Sequence, residues 1–217
     1  MTIFDIMGPI MIGPSSSHTA GAARLGRIAR RLLGRTPARA EILLHGSFAA
    51  TGRGHGTDKA LTAGLLGMAP DDPRLPQAFD VAREERMVVT VGSVNLQGAH
   101  PNTALLRLTA PDGRALEVRG ASLGGGRVRV EAIDGLECTF SGDLPTLIIR
   151  NEDRPGQVAE VTGLLSRHRV NIATMDMRGG LAVMVIESDQ PIDRGVKERL
   201  GSLDGIVRVT YLNMTEE

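Results

Sequence analysis

The segment LPTLIIRNEDRPGQVAEVTGLLSRH, residues 144–168, decides the fold of the C-terminal part of the chain. Its apolar start predicts a strand over 144–150, and the helical spacing of its later apolar residues predicts a helix over 156–168. Two further strands, a helix and a last strand follow at 170–177, 181–187, 192–200 and 206–212. The order βαββαβ over about 70 residues predicts a ferredoxin-like, split-βαβ unit.

The residues before this unit alternate between the two kinds of element and predict an α+β domain. Apolar residues at helical spacing predict a helix over 18–33, with Gly34 as its C-cap. A second helix is expected over 58–66 with Thr57 as its N-cap. Short strands are expected at 3–11, 41–44, 87–94, 104–109, 115–118 and 127–133. We therefore predict one domain over 1–142, a linker around 141–143 and a second domain over 144–217.

Composition excludes several classes of protein. Lys plus Arg and Asp plus Glu both total 25, and aromatic residues make up 2% of the chain. Nucleic-acid binding usually needs a basic surplus or aromatic platforms for the bases, so a nucleic-acid partner is not expected. No apolar run approaches the roughly 20 residues of a membrane span. The first residues lack the pattern of a signal peptide, so we expect a cytoplasmic protein.

A single cysteine, Cys138, limits the metal chemistry of this chain. Iron–sulfur clusters are usually held by several cysteine thiolates, so no cluster or other metal is expected on this chain alone. One cysteine also forbids an internal disulfide, which is typical of a reducing cytoplasm.

The strongest candidate site is Gly13-Pro-Ser-Ser-Ser-His-Thr19, at the start of the first predicted helix. Free backbone amides at a helix N-terminus favour anions, and the hydroxyls of Ser15, Ser16, Ser17 and Thr19 add donors. His18 beside them could transfer a proton. One serine would be enough for an ordinary N-cap, so we favour a substrate-binding and catalytic role for the cluster.

Two further polar clusters are weaker when each is taken alone. His55 lies between glycines in the segment 52–58, which also supplies Gly56, Thr57 and Asp58, and either a ligand site or a flexible turn fits this pattern. The second is His100-Pro-Asn102-Thr103, for which a polar loop before a strand is the better interpretation when the motif is taken alone.

A last candidate site lies between the first strand and first helix of the C-terminal unit. Asn151, Asp153, Gly156 and Val158 belong to this turn, where glycine leaves room for a ligand against the backbone. Asn151 or Asp153 could equally act only as the helix cap.

Together these motifs resemble the β chain of two-subunit iron–sulfur L-serine dehydratases. The resemblance is carried in order by Ile6-Met-Gly-Pro9, residues 13–21, 45–49, 54–58, 64–67, 100–103 and 122–126. It covers roughly residues 2–143. Residues 144–213 are similar to an ACT domain, a small amino-acid-sensing module, through the Asn151-x-Asp153-x-Pro-Gly156 turn.

The resemblance implies a function as a lyase subunit that is inactive without its α chain. The family reaction eliminates water from L-serine, and the product hydrolyses to pyruvate and ammonia. A [4Fe–4S] cluster on the α chain activates the serine hydroxyl. His18 and His55 are then the expected catalytic residues, and the hydroxyl cluster and residues 56–58, 100, 102 and 103 are expected to bind substrate. The ACT turn is expected to bind an effector.

Two other functions remain open at this point. Both domains could be purely regulatory modules that bind amino acids or anions, or the chain could be a free-standing ACT-type homodimer. Histidines at glycine-flanked turns favour the enzyme subunit, because a carboxylate sensor needs only donors. The alternating residues Val183, Val185, Val207 and Val209, with Met175 and Met177, predict an open apolar face. We therefore expect the ACT domain to pair with a second copy or with the rest of the assembly.

Overall fold

A computed structural model of the chain describes residues 10–178 and 182–215. Contacts divide it into two compact units, residues 1–135 and 136–217. This division precedes the expected linker, because the strand Leu136–Phe140 is grouped with the second unit. The boundary at residues 142–144 stays a prediction. None of the helices in the described ranges has the length and apolar composition needed to cross a membrane.

The first unit contains four α-helices and five strands in the part of the chain that is described. A π-helical turn over Ser16–Gly21 leads directly into the first α-helix. The helices are α1 (Ala22–Leu33), α2 (Gly46–His55), α3 (Thr57–Leu65) and α4 (Ala78–Glu84). The strands are β1 (Arg39–Leu44), β2 (Val88–Ser93), β3 (Thr103–Thr109), β4 (Ala115–Gly124) and β5 (Arg127–Ile133).

The strands form a mixed sheet in the order β2-β1-β3-β4-β5. Leu136–Phe140, here β6, belongs to the second unit. β1 pairs with β2 in parallel, whereas the β1–β3, β3–β4 and β4–β5 pairs are antiparallel. Helix α1 lies against β4, because Gly120 has no side chain to keep Leu25 away. This packing places the residues that precede α1 over the sheet.

Helices α1 and α3 approach each other through glycine. A Cβ atom on Gly26 would lie 2.4 Å from the carbonyl oxygen of Leu61, and one on Gly64 would lie 2.1 Å from that of Ala23. Real Cβ atoms essentially never come so close to other atoms. The two backbones are therefore in direct contact, between the first turns of α1 and the C-terminal half of α3.

The predicted helix over 18–33 is confirmed, with Gly34 in a left-handed conformation (φ 86°) as its C-cap. The flexible turn that was one alternative for residues 52–58 is not observed. Residues 52–55 are the last turn of α2, and Gly56 (φ 71°) both ends α2 and precedes α3. Gly56, rather than Thr57, is thus the N-cap position of α3. Helix α4 and strand β6 were not predicted from the sequence. The predicted strand over 3–11 lies almost wholly outside the described residues.

The second unit confirms the predicted βαββαβ order. Its elements are β7 (Thr146–Asn151), α5 (Gln157–Arg167), β8 (Ile172–Arg178), β9 (Ala182–Ser188), α6 (Arg194–Gly201) and β10 (Ile206–Leu212). The sheet order is β10-β7-β9-β8, and every pair is antiparallel. Leu147, Ile149, Met184 and Ile186 pack with residues of both helices in one core. The predicted turn residues Gly179 and Gly180 lie outside the described part.

The expected open apolar face of this sheet is wrong for its central strands. Val183 and Val185 are 3% and 2% exposed, and β6 of the same unit contacts both β8 and β9. Val207 on β10 is 64% exposed. The argument for pairing from a fully open face therefore fails, and self-association through this domain stays a prediction.

Candidate active site

The site is built around His18, which lies in the π-helical turn before α1. Ser15 is the N-cap of this turn, and its Oγ accepts a hydrogen bond from the His18 backbone amide at 3.2 Å. The capping role considered from the sequence is therefore real, but it uses only one serine. A π-helical turn is a rare conformation that often marks functional sites. His18 itself is only 9% exposed.

Hydroxyl groups surround both nitrogens of the His18 ring. Nδ1 lies 3.1 Å from Ser17 Oγ and 3.3 Å from Ser15 Oγ. Nε2 lies 3.1 Å from Thr51 Oγ1 and 3.4 Å from Ser47 Oγ, both on helix α2. Ser16 faces elsewhere, and its Oγ accepts from the amide of Gly125 at 3.2 Å. The three serines thus have different partners: Ser15 caps the turn, Ser17 contacts the His18 ring, and Ser16 binds the loop at Gly125.

The second predicted histidine lies beside the first. The ring centroids of His18 and His55 are 5.0 Å apart, and Phe48 packs edge-on against His18 at 5.2 Å. His55 is exposed and His18 is buried. Burial is the main cause that holds the pKa of His18 below its ordinary value, and the charge of the neighbouring His55 lowers this pKa further. A hydrogen bond with the backbone of Ser47 raises the pKa and so acts in the opposite direction. Burial and the neighbouring His55 therefore favour the neutral form of the His18 ring.

Thr51 fixes the tautomers of both histidines. Its hydroxyl donates to the carbonyl oxygen of Ser47 at 2.9 Å, so its oxygen is left to accept from His18 Nε2–H. Its own carbonyl oxygen accepts from His55 Nδ1–H at 3.0 Å. In the neutral rings, the basic nitrogens are then Nδ1 of His18 and Nε2 of His55. Holding one imidazole nitrogen in this way leaves the other ready to exchange a proton.

A cavity of 270 Å³ opens beside this pair of histidines. Its lining comes from the π-helical turn and the segment before it, the α2–α3 junction and a short 3-10 turn. The lining residues are Ile12, Gly13, Pro14, Thr19, Gly54, His55, Gly56, Lys59, Leu75 and Pro76. His55, Thr19 and Gly56 were predicted as site residues and are brought together here. Thr57 is fully buried at the start of α3, and the Asp58 carboxylate accepts from the amide of Lys59 at 2.8 Å.

The third predicted cluster packs against the start of α2. The Phe48 amide donates to the carbonyl oxygen of Pro101 at 3.3 Å, and Gly46 leaves space for Pro101. His100 Nδ1 accepts from the Asn102 amide at 3.1 Å, and Thr103 donates to the His100 carbonyl oxygen at 2.7 Å. The Asn102 side-chain oxygen is buried without a partner. These residues support the helix that carries Ser47 and Thr51, but they do not line the cavity.

Comparison with known proteins decides the family. The family model "Serine dehydratase beta chain" matches residues 2–88, and the ACT domain model matches residues 145–205. The chain is 40% identical over 215 residues to the probable L-serine dehydratase β chain of Bacillus subtilis, with 97% of both chains covered. It is 32% identical over 216 residues to the L-serine dehydratase β chain of Peptoniphilus asaccharolyticus, again with 97% of both covered.

The chain belongs to the L-serine dehydratase β-chain family. A third relative, the L-serine dehydratase of Streptomyces coelicolor, is 42% identical over 108 residues. That match covers 46% of this chain and 22% of the relative, so most of the longer protein has no counterpart here.

Sequence reasoning missed Ser47, Thr51 and Lys59. Ser47 and Thr51 are four residues apart on α2, so they lie on the same face of that helix and reach the same histidine nitrogen. Their spacing carried no signal in the sequence, because no helix was predicted over residues 46–55. Lys59 directly follows the predicted site residues 56–58. It was left out of the predicted site because the motif was taken to end at Asp58.

Residues of the predicted effector turn in the second unit form hydrogen bonds with one another. Asn151 is 2% exposed, and its amide nitrogen donates to the Glu152 carbonyl oxygen at 2.8 Å. Its side-chain oxygen is buried without a partner. Gly156 (φ 94°) is the N-cap of α5, so the predicted cap by Asn151 or Asp153 is wrong. Asp153 and Val158 are exposed beside it.

Proposed function

We propose that this chain is the β subunit of an L-serine dehydratase and that it supplies proton-transfer and substrate-binding groups to a site shared with an α chain. The observation that carries the proposal is the buried His18 in ring contact with the exposed His55, both hydrogen-bonded to Thr51. Elimination of water from serine removes a proton from Cα and delivers one to the departing hydroxyl. A site for this reaction needs a group that can accept and return a proton.

His55 is the group that we assign to proton transfer. It lines the cavity, and its Nδ1–H is fixed by the Thr51 carbonyl oxygen, so that Nε2 carries the free lone pair. His18 stands behind it and lines no part of this cavity. We assign His18 to orienting the serine hydroxyls and to limiting the charge of the histidine pair, because a second positive charge 5.0 Å away is unfavourable.

The iron–sulfur cluster of the proposed enzyme belongs to the α chain. Cys138 is the single cysteine here and is 2% exposed, so this chain does not offer the thiolates that such a cluster needs. Within the described residues, no group of three or more His, Cys, Asp or Glu side chains forms a metal site. The longer serine dehydratase of Streptomyces coelicolor, of which this chain matches 22%, supports the need for a second chain.

The test is co-expression with an α chain and an anaerobic assay of serine conversion to pyruvate. His55→Ala should lower turnover by about 10²–10⁴-fold, as expected for loss of a general acid–base group. His18→Ala should also lower turnover, because it removes the ring that positions the serine hydroxyls beside His55. His168→Ala is the matched control, because His168 follows α5 in the second unit. Circular dichroism and α-chain binding should be unchanged in all three variants.

A regulatory role of the first domain is the competing proposal, and the same variants separate it from the catalytic one. If both site variants turn over serine like His168→Ala at saturating serine, the histidines do not take part in the chemistry. If iron is found in the purified β chain rather than in the α chain, the assignment of the cluster to the α chain is wrong.

The second unit is proposed to bind an amino-acid effector at the turn after β7. The buried, unpartnered oxygen of Asn151 offers an acceptor for an ammonium group, and Gly156 leaves space beside it. The Gln157 side-chain oxygen is also buried without a partner, while its nitrogen donates to the Asp204 carbonyl oxygen at 2.7 Å. Two unsatisfied acceptors at one turn are costly unless a ligand satisfies them. Serine is the leading candidate.

A further inference from the structure

The cavity beside His55 contains a cation that has no partner. Lys59 lies in the first turn of α3 and lines the cavity. Within residues 10–178 and 182–215, its ammonium group has neither a hydrogen bond nor an ion pair. Its neighbour Asp58 accepts from the Lys59 backbone amide rather than from the side chain. An unpaired ammonium at the edge of a cavity is available to an anionic ligand.

A second unsatisfied group lies in the same cavity. Thr19 is 1% exposed, and its Oγ1 has no hydrogen-bond partner. A Cβ atom on Gly13 would lie 2.3 Å from this hydroxyl, and Gly13 has a φ of 154°. The backbone of Gly13 therefore packs directly against the Thr19 side chain, where no other residue type would fit. A buried hydroxyl without a partner costs free energy, and a ligand that accepts its hydrogen bond would remove that cost.

The chemistry of the lining favours an anion of single charge. Among the described residues that line the cavity, none is acidic. Lys59 is the only residue of this lining with a fixed positive charge, and a phosphate group usually recruits a larger number of cationic donors. The volume of 270 Å³ is below the range of about 300–1,000 Å³ that is typical of drug-sized ligands. A carboxylate of a small molecule matches both the charge and the size.

We infer that Lys59 and Thr19 bind the carboxylate of the amino-acid substrate and hold its reacting carbon beside His55. The inference rests on the proposed function and adds to it the group that recognises an α-carboxylate. Lys59 contributes the charge, and Thr19 contributes a directed hydrogen bond. His55, in the same lining, is then the nearest titratable side chain to the remainder of the bound molecule.

The experiment compares Lys59→Met and Lys59→Arg with the wild type in the co-expressed complex. Lys197→Met is the matched control, because Lys197 is the other lysine of the chain and lies on α6. Lys59→Met should raise the KM for serine about 10- to 100-fold, the loss expected for a hydrogen bond to a charged group, and change kcat much less. Lys59→Arg should recover part of the loss, and Lys197→Met should match the wild type.

A binding measurement on the isolated chain gives a readout that does not depend on turnover. In nuclear magnetic resonance spectra, L-serine should shift the His55 ring signals, whereas ethanolamine, which lacks the carboxylate, should not. Lys59→Met should abolish the serine shift. Thr19→Val, which keeps the shape and removes the hydroxyl, should weaken it and should not lower the thermal stability.

The outcomes separate this inference from the proposed function. An active complex in which Lys59→Met has the KM of Lys197→Met would overturn the inference and leave the proposed function intact. A wild-type complex that does not convert serine would contradict the proposed function, while the binding measurement would still test the pocket. If Lys59→Met alters activation by added acetate without changing the KM for serine, the pocket binds a regulatory anion, and the substrate assignment is wrong.

Discussion

Replacing Gly64 by alanine should separate helices α1 and α3 and destabilise the first unit. The added Cβ would lie 2.1 Å from the carbonyl oxygen of Ala23, where ordinary van der Waals contact begins at 3.4 Å. The atoms that it meets belong to the backbone, so no side-chain rotation can relieve the overlap. The helices must move apart by more than an ångström. Overpacking of this kind costs about 1–3 kcal/mol, and we expect the upper part of that range.

Thermal unfolding measures this cost. For a chain of this length, about 1 kcal/mol corresponds to about 2–4 °C, so Gly64→Ala should lower the melting temperature by roughly 4–12 °C. Gly54→Ala is the matched control in the same unit. Nothing lies within 4 Å of a Cβ at Gly54, and its position in α2 predicts an unchanged or slightly raised melting temperature. If the two variants melt together, the backbone contact between α1 and α3 does not exist.

Two further predictions concern titration and effector binding. Because burial and His55 lower the pKa of His18, the unfolded chain binds more protons than the folded one below the ordinary histidine value of about 6.5. The contribution of the neutral His18 to the free energy of unfolding is therefore fully present above that pH and is lost as the pH falls. When urea unfolding is measured between about pH 7.5 and about pH 5.5, His18→Gln should lose less stability than the wild type. Equal losses would mean that His18 is not responsible. In calorimetry of the full chain, Asn151→Ala should lose serine binding at the second unit, whereas Lys59→Met should keep it. If Asn151→Ala leaves this binding unchanged, the proposed effector turn is wrong.

The periodicity of the sequence was sufficient for the second unit. Each predicted element of the βαββαβ order is present, because every strand and helix there carries its own apolar pattern and a turn at its end. Helix α2 was missed for the opposite reason. Its sequence, residues 46–55, contains three glycines and few apolar residues, and glycine is a poor helix former. Tertiary contacts of Phe48 and of the Pro101 carbonyl oxygen hold this helix in place.

The sequence predicted individual motifs of the candidate site but not the contacts between them. The pairing of His18 with His55 agrees with the sequence prediction of both residues, although the spacing of 37 positions could not show that their rings touch. The link between them is Thr51, an unremarkable residue in sequence whose importance depends on α2 being helical. Likewise, the unpaired charge of Lys59 and the unsatisfied hydroxyl of Thr19 are properties of a folded cavity. No local pattern of residue types contains that information.

The contact between the two histidine rings has a consequence for the proton balance of a catalytic cycle. A positive charge on one of two imidazoles whose centroids are 5.0 Å apart disfavours a second positive charge on the other. In the proposed function, the pair therefore carries one transferred proton at a time. Loss of water from a hydroxy amino acid takes one proton from carbon and returns one to oxygen, so its net demand is zero. In the proposed function, a proton that the histidine pair takes from carbon is therefore the proton that it returns to oxygen within the same turnover.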